Sequence, residues 1–282
     1  MAKIIQRQKL VPNIHLIEVE APEVARKARP GQFVILMPDE RGERIPLTLA
    51  DWDAEKGTAT SVFMVVGTST EKLSRLKAGD ELPVYVGPLG RPAEIGYFGT
   101  VLCAGGCFGI GAIFPLARAY KQAGNRVLTL LDARARYLLY WEDKLRKVSD
   151  EVHLALRDDQ ILPQEYIPYR LKELMARGEK IDRVHVVGCT YLMSSCSEAT
   201  RPLGIKTIVS LNPIMLDGTG MCGACRVSVG GGTKFACVDG PDFDGHLVDW
   251  NELYARRKAY LEEETRSLCE WEKTLFPGEN KL

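Results

Sequence analysis

The sequence predicts a mixed fold with three parts: an antiparallel β-barrel, an α/β domain and a small C-terminal domain built around cysteines. Three observations support this prediction. The first hundred residues alternate short strand-like runs with turn residues, and the middle of the chain has a strand, a glycine-rich turn and a helix in that order. A short segment near the C-terminus carries three closely spaced cysteines and an aspartate. With 282 residues, the chain is long enough for two domains and a smaller appendage.

Residues 1–98 form the predicted barrel. Runs with β-branched or alternating apolar character are separated by Pro, Gly and Asn, which is typical of short antiparallel strands. The predicted strands are 3–10, 15–20, 32–37, 58–66 and 81–86. One helix is expected between the last two strands, because Thr68 and Glu71 match a capping box and Gly79 supplies a C-terminal stop.

Residues 99–210 form the predicted α/β domain. A buried-type strand at 99–104 precedes a glycine-rich turn, and an apolar-faced helix at 112–123 follows it. The glycines of the turn are Gly105, Gly106, Gly109 and Gly111. Such a turn lets the phosphates of a dinucleotide approach the backbone at a helix N-terminus. The same glycines are also typical of a turn at which a helix packs closely on a strand, and the pattern alone leaves both interpretations open.

Residues 211–250 contain the most specific pattern. Asp217, Cys222, Cys225 and Cys237 are spaced as D-x4-C-x2-C-x11-C. This is the spacing of a plant-type iron–sulfur loop in which aspartate replaces the first cysteine. Glycines within the loop can turn backbone amides toward the sulfur atoms of a small cluster. The sequence therefore predicts a 2Fe–2S cluster with these four residues as ligands.

Two other interpretations of the cysteines were weighed against the cluster. A structural zinc site would need Asp217 or His246 as its fourth ligand, whereas such sites normally use a second close pair of Cys or His. A disulfide scaffold conflicts with eight cysteines spread over 282 residues and with an N-terminus that lacks an apolar signal segment. Reduced thiols in a cytoplasmic protein are expected.

Composition excludes some classes of partner. The formal net charge is zero and 26% of the residues are charged, so no basic excess indicates nucleic-acid binding. No apolar run approaches the roughly 18 residues that would span a bilayer, so no membrane span is expected.

Residues 251–282 are predicted to form a helical tail. The segment is charged, and its apolar residues recur with amphipathic helical spacing. The candidate apolar contacts are Leu253, Tyr260, Leu261 and Leu268. Packing of this tail over the cluster domain is favoured over docking of a partner.

Three barrel segments resemble ferredoxin reductase-like flavoprotein domains: Pro30–Val34, Arg44–Leu49 and Val65–Thr70, in that order. The resemblance implies FAD, with the second segment against the flavin ring and the third holding the pyrophosphate. The implied FAD residues are Arg44, Pro46, Leu47, Thr48, Leu49, Gly67, Thr68, Ser69 and Thr70. The arginine usual in this family would stand at Ile45, so Arg44 serves either the flavin phosphate or the surface.

The same superfamily implies an NAD(H) site in the α/β domain. The implied residues are Gly105, Gly106, Gly109, Gly111, Arg134, Cys189 and Met193. The chain departs from the family pattern at Thr190 and Tyr191, which replace Gly and Pro, and segment 157–166 lacks the expected glycine-rich loop.

The whole order of domains is similar to the electron-transfer subunits of dihydroorotate dehydrogenase. Within that family, an aspartate at the first ligand position is the pattern of the small subunits of NADH-dependent ferredoxin:NADP oxidoreductases, which this chain resembles. The resemblance implies electron transfer between NAD(H), FAD and the cluster and on to a larger iron–sulfur flavoprotein, in flavin-based bifurcation with ferredoxin and NADP(H). The alternative is a relay or adaptor subunit of a hydrogenase, sulfide-linked or dihydroorotate-type complex with weakened NAD binding.

Overall fold

The first seven strands form one antiparallel, nearly closed sheet in a computed structural model that describes residues 2–157 and 166–275. The strand order is β6-β1-β2-β5-β4-β3-β7. The strands are β1 Ala2–Val11, β2 Ile14–Glu20, β3 Phe33–Met37, β4 Ile45–Asp53, β5 Thr58–Met64, β6 Glu81–Leu82 and β7 Val84–Leu89. Two helices accompany them, α1 Pro22–Lys27 and α2 Thr68–Arg75. The predicted barrel is confirmed.

The barrel differs from the prediction in four places. The strand predicted at 81–86 is divided at Pro83, which has no backbone N–H to donate to a sheet. Helix α1 and most of β4 were not predicted, because their apolar residues do not follow a long regular period. Helix α2 has Gly67 rather than Thr68 as its N-cap. The capping-box prediction is therefore offset by one residue.

A six-stranded sheet follows, in the order β10-β9-β8-β11-β12-β15. Its strands are β8 Thr100–Gly106, β9 Arg126–Ala133, β10 Glu151–Leu156, β11 Arg183–Val187, β12 Lys206–Ser210 and β15 Asp242–Asp244. The first five are parallel, and the chain runs outward in opposite directions from β8 and β11. This change of direction is the switch point at which open α/β sheets bind ligands.

Four helices belong to this sheet: α3 Gly109–Gln122, α4 Glu142–Arg146, α5 Tyr166–Ala176 and α6 Thr190–Thr200. Helix α3 starts at Gly109, three residues before the predicted start, so the last two glycines of the turn lie inside its first turn. The altered segment 157–166 cannot be compared with the prediction, because its residues 158–165 lie outside the described residues.

The cysteine-containing part is small and joins the second sheet. It comprises a hairpin, β13 Arg226–Val229 and β14 Gly232–Phe235, and a short helix, α7 Ala236–Asp239. Strand β15, which follows, pairs antiparallel with β12. Because this segment completes the sheet of the preceding domain, the cluster part is held rigidly against it.

The tail forms two helices, α8 Trp250–Arg257 and α9 Leu261–Leu275. Leu253 of α8 is 1% exposed, as predicted, whereas Tyr260 and Leu261 are exposed. In the part of the chain that the structure describes, no helix is long and apolar enough to cross a membrane.

Candidate functional site

The cluster loop is ordered by the carboxylate of Asp217. One oxygen accepts the Thr219 N–H at 2.9 Å and the other accepts the Cys222 N–H at 2.7 Å. The hydrogen bond from Thr219, followed by the one from Cys222, holds the pKa of Asp217 below its usual value. Gly218 and Gly220 have φ values of +73° and +86°, which favour glycine. The loop therefore presents an ionised carboxylate and needs its glycines.

Two of the three predicted cysteine ligands are neighbours. Cys225 and Cys237 are buried, and their sulfur atoms lie 3.2 Å apart. Burial, followed by the contact with Cys225, raises the pKa of Cys237 to about 12. Cys222 is exposed, and its N–H donates to Asp217.

These donors form two pairs, Cys225 with Cys237 and Asp217 with Cys222. Across residues 2–157 and 166–275, no three His, Cys, Asp or Glu side chains stand close enough to hold a single metal ion as they are placed. A 2Fe–2S cluster has two iron atoms, each bound by two protein ligands. The paired donors and the glycine-containing loop fit that group better than a mononuclear zinc site, which takes four ligands around one ion.

The cluster loop packs directly on the barrel. A Cβ atom on Gly218 would lie 2.6 Å from Leu89 Cδ1 and 3.0 Å from Ile35 Cγ1. Ile35 is the cross-strand partner of Pro46 on β4. The loop that bears Asp217 is therefore one strand away from the segment predicted to lie against a flavin.

Strand β4 divides its predicted FAD residues between two faces. Leu47 and Leu49 are buried in the barrel core, with exposures of 8% and 0%. Pro46 and Thr48 are half-buried on the opposite face, beside Ile35 and Phe33 of β3. Because their side chains are buried, Leu47 and Leu49 offer a flavin their backbone, and their assignment to the FAD site stays a prediction. Arg44 precedes the strand and is exposed.

The turn before α2 uses two of its predicted hydroxyl groups internally. Thr70 Oγ1 accepts the N–H groups of Val66 and Gly67 at 2.9 and 3.1 Å. Ser69 is buried, and its hydroxyl donates to Glu43 at 3.3 Å. The backbone amides of the first helical turn, rather than these hydroxyl groups, are therefore the donors suited to a phosphate.

The glycines at the α/β turn are required by close packing. A Cβ atom on Gly109 would overlap the carbonyl oxygen of Val187 on β11, and one on Gly111 would lie 2.8 Å from Val62 of the barrel. Cβ atoms on Gly105 and Gly106 would also lie within 3 Å of neighbouring atoms. The packing interpretation of these glycines is thus correct, and it brings the turn to the switch point beside the barrel.

Tyr140 also shapes this turn, although the sequence contained no signal for it. Its buried hydroxyl accepts the Gly111 N–H at 3.0 Å and donates to the Cys107 carbonyl at 2.8 Å. Burial raises the pKa of Tyr140, so the hydroxyl stays protonated. One amide of the first turn of α3 is consequently occupied by the protein itself.

The remaining predicted nucleotide residues differ in exposure. Arg134 is exposed after the end of β9, and Cys189 is the half-buried N-cap of α6. Met193 is 0% exposed and packs in the hydrophobic core, which excludes its side chain from a surface site. Asp132, which was not predicted, faces Gly106, and burial raises its pKa.

Comparisons with known proteins agree with this geometry. The family model for the iron–sulfur cluster binding domain of dihydroorotate dehydrogenase B matches residues 212–249. A Thermotoga maritima protein, described as a homologue of the electron-transfer subunit of dihydroorotate dehydrogenase B (NAD(+)), is 43% identical over 98% of both chains. The corresponding subunit from Desulforamulus reducens is 31% identical over 88% of this chain and 97% of its own.

Solved structures of oxidoreductases also resemble this chain. A chain from a structure of an NADH-dependent reduced ferredoxin-NADP oxidoreductase, described in terms of flavin-based electron bifurcation, superposes with a TM-score of 0.88. It is 42% identical to this chain and the match covers 98% of each. An Amycolatopsis cytochrome P450 reductase is 18% identical, with a TM-score of 0.56 over 71% of this chain and 65% of its own, and shares the fold alone.

Proposed function

The chain belongs to the family of electron-transfer subunits of dihydroorotate dehydrogenase B, and on that premise we propose that it moves electrons between NAD(H), FAD and a 2Fe–2S cluster. The electrons pass on to a larger iron–sulfur flavoprotein. When bound, FAD exchanges a hydride with NAD(H), and the cluster takes up single electrons. The residues of the chain bind these groups and set their distances and potentials.

The observation that carries the proposal is the contact of the cluster loop with the barrel. Gly218 touches Ile35, and Ile35 lies opposite Pro46 on the face assigned to the flavin. A flavin and a cluster held on the two sides of this contact are separated by little more than the width of one strand. Strand β15 pairs with β12, so the cluster part is also joined to the α/β sheet.

Each part of the proposed site has a separate task. Pro46 and Thr48 line the flavin face, with the backbone of Leu47 and Leu49 available to it. The amides at the start of α2 bind the FAD pyrophosphate. The carboxyl ends of β8 and β11, with Arg134 and Cys189 beside them, receive NAD(H).

Asp217 tunes the potential of the cluster in this proposal. A carboxylate oxygen is a harder ligand than a thiolate, and ligand type is one of the main determinants of cluster potential. The hydrogen bonds from Thr219 and Cys222 keep this carboxylate ionised and oriented. Hydrogen bonds of this kind hold a metal ligand in position.

Anaerobic purification tests the assignment. The chain is expected to contain FAD, two iron atoms per cluster and a flavin absorbance that NADH bleaches. A preparation of folded chain with no FAD absorbance and no reducible two-iron signal would contradict the proposal.

At a finer level, we propose that the partner complex performs flavin-based bifurcation with NADP(H) and ferredoxin, and that ferredoxin reacts on the larger subunit. The 42%-identical chain from a reduced ferredoxin-NADP oxidoreductase supports this assignment. Purification of the native complex identifies the larger subunit directly. NADH-dependent reduction of NADP⁺ that requires reduced ferredoxin is the expected activity.

A relay subunit that has lost NAD binding is the second candidate. The observations that favour it are the close packing of Gly109 and Gly111 and the occupation of the Gly111 amide by Tyr140. Such a subunit would serve a hydrogenase, sulfide-linked or dihydroorotate-type partner. Rapid reduction of the bound flavin by NADH excludes this candidate, whereas reduction only by the partner supports it.

A further inference from the structure

Helix α9 leaves the cluster domain and lies against α2. The preceding helix α8 is held on the cluster domain by Arg256, which donates to the Ala224 carbonyl at 3.1 Å. In α9, the Ser267 hydroxyl is hydrogen-bonded to the Thr68 hydroxyl at 2.9 Å, and the Trp271 ring lies 5.0 Å from Lys72 Nζ. The predicted packing over the cluster domain thus holds for α8, whereas α9 covers the proposed phosphate site.

A cavity of about 300 Å³ lies between the two helices. Val65, Val66 and Gly67 line one side of it at the start of α2. Leu268, Glu272 and Leu275 of α9 line the other side. This volume is at the lower end of small-molecule pockets, about 300–1,000 Å³, and suits part of a ligand such as a nucleoside.

The polar groups around the cavity are suited to a nucleotide. Glu71 is paired with Arg75 at 2.8 Å, whereas Glu272 has no ion-pair partner within residues 2–157 and 166–275. A carboxylate in such a place can accept hydrogen bonds from ribose hydroxyl groups, as acidic residues do in dinucleotide sites. The indole N–H of Trp271 is buried, and the described residues offer it no acceptor.

We infer that α9 closes over the adenosine half of FAD, with Leu268 and Leu275 against the adenine and Glu272 accepting from the ribose. The inference rests on the proposed function, because it takes the pyrophosphate of FAD to lie at the start of α2. Its new content is that the C-terminal helix belongs to the FAD site and holds the cofactor. The adenosine then lies between two apolar walls, and its phosphates are next to the helix amides.

The test compares FAD with FMN, which lacks the adenosine monophosphate half. Apoprotein of the full chain is prepared with its cluster under anaerobic conditions, and flavin affinity is measured by fluorescence quenching. The variants are Leu268→Ala and Glu272→Gln. The matched control is Glu270→Gln, which makes the same change at an exposed α9 position outside the cavity lining.

Leu268→Ala and Glu272→Gln are each expected to weaken FAD binding about tenfold and to leave FMN binding unchanged. Glu270→Gln should change neither affinity. Equal loss of FAD and FMN affinity would overturn the inference, since it would show an indirect effect on α2. Unchanged FAD affinity would also overturn it. Wild-type chain that binds neither flavin would instead contradict the proposed function.

Discussion

Gly218 of the cluster loop lies so close to Ile35 of the barrel that a Cβ atom would stand 3.0 Å from Ile35 Cγ1. This contact links the cluster loop to the proposed flavin strand, because Ile35 pairs with Pro46. It predicts that a single methyl group at this position disturbs both folding and electron transfer.

Gly218→Ala is expected to lower the free energy of unfolding by about 1–3 kcal/mol through overpacking, in addition to the strain of its positive φ. The matched control is Gly231→Ala, which has a φ of +78° but no atom within 4 Å of the new Cβ. Urea unfolding measures both variants. Electron paramagnetic resonance after NADH addition should show slower cluster reduction in Gly218→Ala alone. If the two variants had the same stability and the same rate of cluster reduction, the contact of Gly218 with Ile35 would have no specific role.

Asp217→Cys is expected to retain a 2Fe–2S cluster with a changed paramagnetic resonance spectrum and a changed reduction potential. The reason is that a thiolate replaces a harder oxygen ligand. Cys222→Ala, which removes a thiolate from the same loop, should instead lose most of the iron. An unchanged spectrum in Asp217→Cys would indicate that the carboxylate only orders the loop through its hydrogen bonds to Thr219 and Cys222.

Tyr140→Phe is expected to reduce the free energy of unfolding by about 1 kcal/mol, because the buried hydrogen bonds of its hydroxyl with the Gly111 N–H and the Cys107 carbonyl are lost. It should also raise the dissociation constant for NADH, since the turn at the end of β8 loses its support. Tyr137→Phe is the control, because Tyr137 is 71% exposed. Calorimetry and NADH titration give the two values. A loss of NADH affinity in both variants would speak against the role of the Tyr140 hydroxyl.

Asp132→Asn is expected to stabilise the chain at neutral pH. Burial raises the pKa of Asp132 in the folded state above its ordinary 3.8, so the unfolded state ionises first as the pH rises. The loss of folding stability that Asp132 causes begins near that ordinary value and grows until the pH passes the folded-state pKa. The gain from Asn should therefore vanish in acid, below the ordinary pKa.

Asp182→Asn is expected to have the opposite effect on stability. Hydrogen bonds from Lys180 and then from the Thr100 N–H lower the pKa of Asp182, so its contribution is present at neutral pH and is lost as the pH falls through the folded-state pKa. This variant should be less stable than the wild type at pH 7, and the difference should shrink in acid. Urea unfolding across the pH range measures both variants. The same sign for both would contradict the assignment of the Asp132 environment.

Much of the architecture could be predicted because it depends on local patterns. Alternating apolar residues predicted β1, β2 and β3, and the glycine stop helped to place α2. Segments with weaker local signals were missed, such as α1 and the greater part of β4. The fourteen-residue α3 was predicted too short, since its first turn contains two glycines that a propensity argument assigns to a loop.

Site residues were harder to predict because their roles depend on contacts between distant parts of the chain. The resemblance to a flavoprotein family implied Pro46, Leu47 and Thr48 as one flavin segment, but only the pairing of β4 with β3 shows which of them face inward. Tyr140 reaches Gly111 across 29 residues, and no periodic pattern records such a contact. The family resemblance implied Met193 as a nucleotide residue, and the structure adds that its side chain is buried in the core.

The sequence by itself predicted the four candidate cluster donors, because ligand spacing in one loop is a local property of the chain. It also determined the barrel and the strand–turn–helix order, since side-chain alternation and glycine positions express them directly. Only the tertiary structure decided that Gly218 packs on Ile35 and that α9 crosses from the cluster domain to α2. Thr68 and Ser267 are 199 positions apart, and contacts of that kind arise from the packing of whole elements, which local spacing does not encode.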